Sequence, residues 1–135
     1  MNTTRGGRGA KATPKNGEVK KYYKDGSLAS LGKVKDGKNT GIWMHYLRNG
    51  QLRAIGMFKN GKLDGPWKWY RENGKLMQTG AFTMGERSGV WTRYRTDGTK
   101  YDAGQYAGEK KVGEWKSYDA KGKLAKAKKY KKPKS

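Results

Sequence analysis

The chain has no cysteine. No disulfide and no thiolate metal site can be built, and a reducing, cytoplasmic setting is expected. One histidine, two phenylalanines and three prolines are spread over 135 residues. Acids are scarce: 11 Asp and Glu face 32 Lys and Arg, a formal net charge of +21. No apolar run approaches the roughly 18 residues that a membrane span needs. The segment MNTTRGGRGAKATPK lacks the apolar stretch of a secretory signal, so none is expected there. Hydrophobic residues make up only 33%, against about 45–50% apolar residues, glycine included, in ordinary domains. That supply suits a thin sheet covered by aromatic rings better than a thick two-layer core.

What the chain does have is glycine, 21 in all, on a regular grid. A unit of 24 residues recurs without insertion, starting at Gly17, Gly41, Gly65, Gly89 and Gly113. A second row is Gly26, Gly50, Gly74, Gly98 and Gly122, and a third is Gly32, Gly56, Gly80 and Gly104. Trp43, Trp67, Trp91 and Trp115 share one phase, with Val19 in the first copy. A fixed period of this size marks a repeat architecture. Glycines placed so regularly are structural punctuation rather than a phosphate-cradling loop.

Within Gly65–Ser88 a strand-like run, Pro66–Arg71, meets Asn73-Gly74, and the return run Leu76–Phe82 ends at Met84-Gly85. Asp25-Gly26, Asn49-Gly50 and Asp97-Gly98 repeat the first turn, with Lys121-Gly122 in the fifth copy. Asx-Gly between apolar-patterned runs is a strong hairpin signal. The chain is therefore expected to be all-β, built of five hairpins. A two-residue turn at Asn73-Gly74 sets Tyr70 opposite Met77 and Trp67 opposite Gly80, and likewise Trp43 opposite Gly56 and Trp91 opposite Gly104. Each indole is then expected to cover the bare glycine it faces. One face collects Trp67, Leu76, Gly80 and Phe82, with Trp43, Leu52, Gly56 and Phe58, and with Trp91, Lys100, Gly104 and Tyr106, as the expected core. The other face takes Lys68, Tyr70, Met77 and Thr79. The repeat body is expected at 17–119, between tails at 1–16 and 120–135 of disordered type.

The GxWxxY strand, the NGKL turn, the GxF strand and the second Gly turn resemble MORN repeats, in the bacterial variant form found among toxin–antitoxin antitoxins. The resemblance runs from Gly17 to about Tyr130. It implies an elongated, twisted, single-layer antiparallel meander. It also implies non-enzymatic roles: scaffolding, protein binding or contact with phospholipid.

The charge points to a polyanion. Arg5, Arg8, Lys11 and Lys15 stand in 1–16 without an acid, and Lys121, Lys123, Lys126, Lys128, Lys129, Lys131, Lys132 and Lys134 stand in 120–135 without one. These are the candidate nucleic-acid-binding residues. Tyr22, Tyr46, Tyr70, Tyr94 and Tyr118 recur once per copy among Lys20, Lys24, Arg48, Arg53, Lys68 and Lys116. Rings interleaved with bases can stack nucleobases while cations hold phosphates; they can equally serve only to cover the sheet. Trp69 has no aromatic counterpart in the other copies and fits an exposed anchor or an extra core ring.

Catalysis has little to work with. His45 aligns with Lys21, Trp69, Arg93 and Ser117 and shows no repeated role. Asp25, Asp36 and Asp97 fall in turns, where Asp bonds its own backbone. No enzyme activity, metal or cofactor is expected. The expected role is an accessory component of a nucleoprotein assembly, with RNA favoured over DNA as partner. The rivals are an antitoxin or scaffold that binds a partner protein through the sheet, and attachment to an anionic membrane.

Overall fold

The computed structural model describes residues 14–131. It is all-β: ten strands form one open antiparallel sheet in sequence order. They are β1 Gly17–Tyr22 and β2 Leu28–Lys35, β3 Lys38–Tyr46 and β4 Leu52–Lys59, β5 Lys62–Tyr70 and β6 Leu76–Thr83, β7 Glu86–Tyr94 and β8 Lys100–Ala107, and β9 Lys110–Tyr118 and β10 Leu124–Tyr130. Each pair is one hairpin of the 24-residue unit. Each hairpin touches its neighbours along the array, as in repeat proteins generally.

The hairpin register agrees with the sequence: Trp43 lies opposite Gly56, Trp67 opposite Gly80 and Trp91 opposite Gly104. The indoles, however, turn the other way. The Trp67 ring lies over Gly56 of the preceding copy, where an added Cβ would stand 1.8 Å from it. Trp43 covers Gly32, Trp91 covers Gly80 and Trp115 covers Gly104 in the same manner. The reason is a register shift between copies. Pairing of β4 with β5 jumps between Gly56 and Phe58, opposite Gly65, whose φ of 104° needs a residue without Cβ. The jump leaves Met57 out of the ladder, and the Trp67 indole N–H donates to the Met57 carbonyl at 3.0 Å. The same bond recurs from Trp43 to Lys33, Trp91 to Ala81 and Trp115 to Gln105, at 2.9–3.1 Å. At Met57 the indole thus fills the hydrogen bond that the bulge forfeits.

The core is a spine along this face. Phe58 sits edge-on between Trp43 and Trp67, Phe82 between Trp67 and Trp91, and Tyr106 between Trp91 and Trp115. Trp43, Trp67 and Trp91 are buried, and Val19 and Val34 close the N-terminal end.

Three sequence expectations are corrected. First, the turns divide into two kinds. At Asn73-Gly74 only the glycine has positive φ; Gly74 N–H donates to Arg71 O and Arg71 N–H to Lys75 O, a three-residue loop with a bulge. The two-residue loops, with both φ positive, are Asp36-Gly37, Asn60-Gly61, Met84-Gly85 and Gly108-Glu109. Second, the longer loop pairs Tyr70 with Leu76 instead of Met77, and the register then skips Met77 so that Trp69 meets Gln78 and Trp67 meets Gly80. Leu52 and Leu76 therefore move from the indole face to the tyrosine face, because a one-residue shift reverses side-chain direction. Third, residues 124–130 of the expected tail form β10, paired with β9 from Leu124 to Tyr130. Lys15 and Asn16 likewise bond the β2–β3 turn: Gly37 N–H donates to Lys15 O and Asp36 N–H to Asn16 Oδ1.

The outer edges lack the joint. β1 carries Val19 at the tryptophan phase, and β10 carries Lys128 at the glycine phase. Lysine on an edge strand also discourages further pairing.

Gly56→Ala is expected to destabilise the chain by about 1–3 kcal/mol, since the ring must be displaced from backbone. Lys128→Ala, at the same phase but uncovered, should stay within about 0.5 kcal/mol of the parent. Urea unfolding of both variants checks this; equal losses would contradict the joint.

Candidate nucleic-acid interface

Beside the spine on the indole face runs a second row. His45 lies between Trp43 and Trp67, with ring centroids 6.4 and 6.1 Å away and planes inclined by 25° and 18°. Trp69 lies between Trp67 and Trp91 at 5.8 and 5.5 Å, inclined by 25° and 30°. Trp69 is thus a half-buried ring of the stack. Lys21 sits over Trp43 at 5.8 Å. Ser30 Oγ lies 2.8 Å from His45 Nδ1 across the strands. Burial first, and then the charges of Arg53 and Lys21, hold the imidazole below its ordinary pKa.

Beyond Trp91 the same face becomes cationic. The Arg87 guanidinium lies 4.4 Å from the Tyr106 ring centre and 5.9 Å from that of Trp91. Lys111 Nζ stands 4.7 Å over Trp115 and 5.8 Å from Tyr130, and Lys128 Nζ is 5.1 Å over Tyr130. Such exposed cation–ring contacts are worth about 0.5–1 kcal/mol each. Arg87 also donates from Nε to Glu109 Oε1 at 2.8 Å, and the bonds from Arg87 hold that carboxyl below the usual range. Arg93 pairs with Asp102. No ion pair to Lys111 is found among the described residues.

The candidate residues from the sequence separate by place. Lys126 and Lys128 pair with Ser117 and Trp115 and so share the indole face, next to Lys111. Lys129 pairs with Glu114 and belongs to the other face. Lys121 and Lys123 lie at the last turn, where Asp119 Oδ1 accepts both their amides at 2.9 Å. Lys15 is exposed before β1, and Lys131 is exposed after β10. Arg5, Arg8, Lys11, Lys132 and Lys134 lie outside the described residues.

The tyrosines lie on the face opposite the indoles, and leucines interleave with them. Tyr22 pairs with Leu28, Tyr46 with Leu52, Tyr70 with Leu76 and Tyr118 with Leu124, while Tyr94 pairs with Lys100. Tyr22 is the exposed member of the row, at 59%. The charge of Arg53, one of the bases expected there, also reaches His45.

Sequence reasoning missed Arg87, Lys111 and Tyr130. The period did contain their signal: Lys15, Asn39, Leu63, Arg87 and Lys111 share one phase, and Val34, Phe58, Phe82, Tyr106 and Tyr130 another. Among the described residues no group of three His, Cys, Asp or Glu is placed to hold a metal ion.

A family model described as MORN repeat variant matches residues 15–36, 39–60, 63–82 and 111–132. No curated protein matches the chain.

The low pKa of His45 gives a pH dependence. The unfolded chain takes up the proton first as pH falls, so stability is complete above about 6.5 and declines below it, through the lower folded value. His45→Trp supplies the ring that the next copy uses and removes the titration. The melting temperature of the parent is expected to fall more steeply than that of this variant on going from neutral to mildly acidic pH. Parallel curves would contradict the assignment.

Proposed function

The chain belongs to the MORN repeat variant family, and from that premise we propose that it is a non-catalytic accessory component of a nucleoprotein assembly that binds nucleic acid, RNA in preference to DNA. One observation carries the reading. Lys126 and Lys128 of β10 share a face with Arg87, Lys111, Trp91, Tyr106, Trp115 and Tyr130. Cations interleaved with rings along an edge suit a phosphate backbone whose bases are exposed for stacking. RNA offers such bases in its loops and bulges, which supports the preference. The basic segments before and after the described residues add sequence-independent attraction. Phosphate contacts of this kind position a nucleic acid without reading its sequence.

A second reading has its own observation. The other face carries Ile42, Ile55, Met57 and Pro66 around an open apolar cavity of about 350 Å³, and Ile42 is 56% exposed. An exposed apolar patch favours protein docking, so a scaffold or antitoxin role would use this face. Ile42→Glu would disable that role and leave nucleic-acid binding intact.

Binding to single-stranded RNA is expected to weaken linearly on a log–log plot against salt. Replacing Lys111, Lys126 and Lys128 together by Gln should flatten the slope by about 2, at about 0.7 per phosphate contact on single strands. Affinity measured at several salt concentrations checks this. A salt-independent affinity, or an unchanged slope in the triple variant, would contradict the assignment.

A further inference from the structure

The indoles Trp43, Trp67, Trp91 and Trp115 leave three gaps between neighbours, and two are filled by rings of the chain itself. His45 fills the first and Trp69 the second. At the same phase the third gap has Arg93, which is not a ring. Its guanidinium is drawn aside: Nε donates to Asp102 Oδ1 at 2.9 Å and Nη2 to Oδ2 at 2.5 Å, and it lies 5.0 Å from the Tyr101 ring centre. The gap between Trp91 and Trp115 is left as a partly enclosed cavity of about 210 Å³, with the Arg93–Asp102 pair on its border beside Gln78, Tyr106, Arg87 and Lys111.

The neighbouring gaps say what shape fits: a flat ring between an imidazole and an indole in size. The border says what chemistry fits. Gln78 and Asp102 offer polar groups to a ring that carries its own donors and acceptors. Lys111, for which no ion pair is found among the described residues, and Arg87 beside it, paired with Glu109, favour an anion attached to that ring. A plain hydrocarbon ring leaves the cations unused, and a bare phosphate leaves the indoles unused. A nucleobase with its phosphate uses both. The base must be unpaired, because a ring held between two indoles has no room for a Watson–Crick partner's stack.

Resting on the nucleic-acid reading above, we infer that the gap between Trp91 and Trp115 is a stacking site for one unpaired nucleobase of a single strand, with its phosphate on Lys111 and Arg87. Lys126 and Lys128, on the same face beyond Trp115, then carry the strand onward along β10. The array is polar in function: its first two gaps are sealed by the chain, and the third is left for a ligand.

The test compares a short single-stranded RNA with an abasic strand of the same length and charge, both titrated against the full chain at low salt. The base-bearing strand is expected to bind roughly tenfold tighter and to quench tryptophan fluorescence. Arg93→Trp installs the ring that the third copy carries at this position. It should erase the preference for bases and change abasic-strand binding by no more than about threefold, the effect of one lost charge. Trp115→Leu, which removes one wall of the gap, should erase the preference as well. Equal binding of the two strands by the parent chain overturns the stacking site while the electrostatic reading stands. Retained preference in both variants also overturns it. Failure of both strands to bind at low salt overturns the nucleic-acid reading itself, and the site with it.

Discussion

The structure depends on one contact, an indole laid on a bare glycine of the preceding strand. A single-layer sheet has no second layer to bury its backbone. Here each copy supplies the cover for the copy before it: Trp67 shields Gly56 and donates to the Met57 carbonyl that the bulge has released. Three sequence features that look separate, the tryptophan, the third-row glycine and the glycine at positive φ, are parts of this joint. The glycine at positive φ shifts the register, the shift frees the carbonyl and makes room, and the indole fills both. A chain with 33% hydrophobic residues builds a core this way because a ring that packs edge-on and also hydrogen-bonds does more per residue than an aliphatic side chain.

Much of this was legible in the period. The phase rows identify which residues are equivalent, so the hairpins and the pairing of Trp43 with Gly56 follow from counting. Equivalence does not say toward which neighbour a side chain leans, and the indoles lean backward. Nor does Asx-Gly alone fix a loop length. Asn73 accepts from the Lys75 amide and the loop takes three residues, whereas Met84-Gly85, a weaker turn signal, makes the tight one. That single residue of difference sent Leu52 and Leu76 to the other face. The C-terminal lysines were read by composition as a tail. Lys126, Lys128 and Tyr130 alternate with Ala127 and Lys129 in one more strand, because the backbone of β9 offers an edge that composition cannot reveal.

The candidate site was less legible for a related reason. Charge counting drew attention to the ends of the chain, while Arg87 and Lys111 are ordinary members of a phase whose first and second copies hold Asn39 and Leu63. Their significance comes from what lies beside them, a gap in the stack that exists only because Arg93 replaces a ring. Repeats make such departures informative: His45 and Trp69 each fill the gap beside them, and Arg93 at the same phase does not. His45 and Trp69 mark the closed side of that boundary and Arg93 the open side.

Hydrogen exchange of the indole N–H groups, followed residue by residue by NMR, addresses the joint most directly. Trp43, Trp67, Trp91 and Trp115 donate to backbone carbonyls at 2.9–3.1 Å. For Trp69, whose ring packs against Trp67, Trp91 and Phe82, no such bond is found among the described residues. The expected result is slow exchange at those four indoles and fast exchange at Trp69. Equal rates at all five would contradict the claim that indole-to-carbonyl bonds between copies hold the array together.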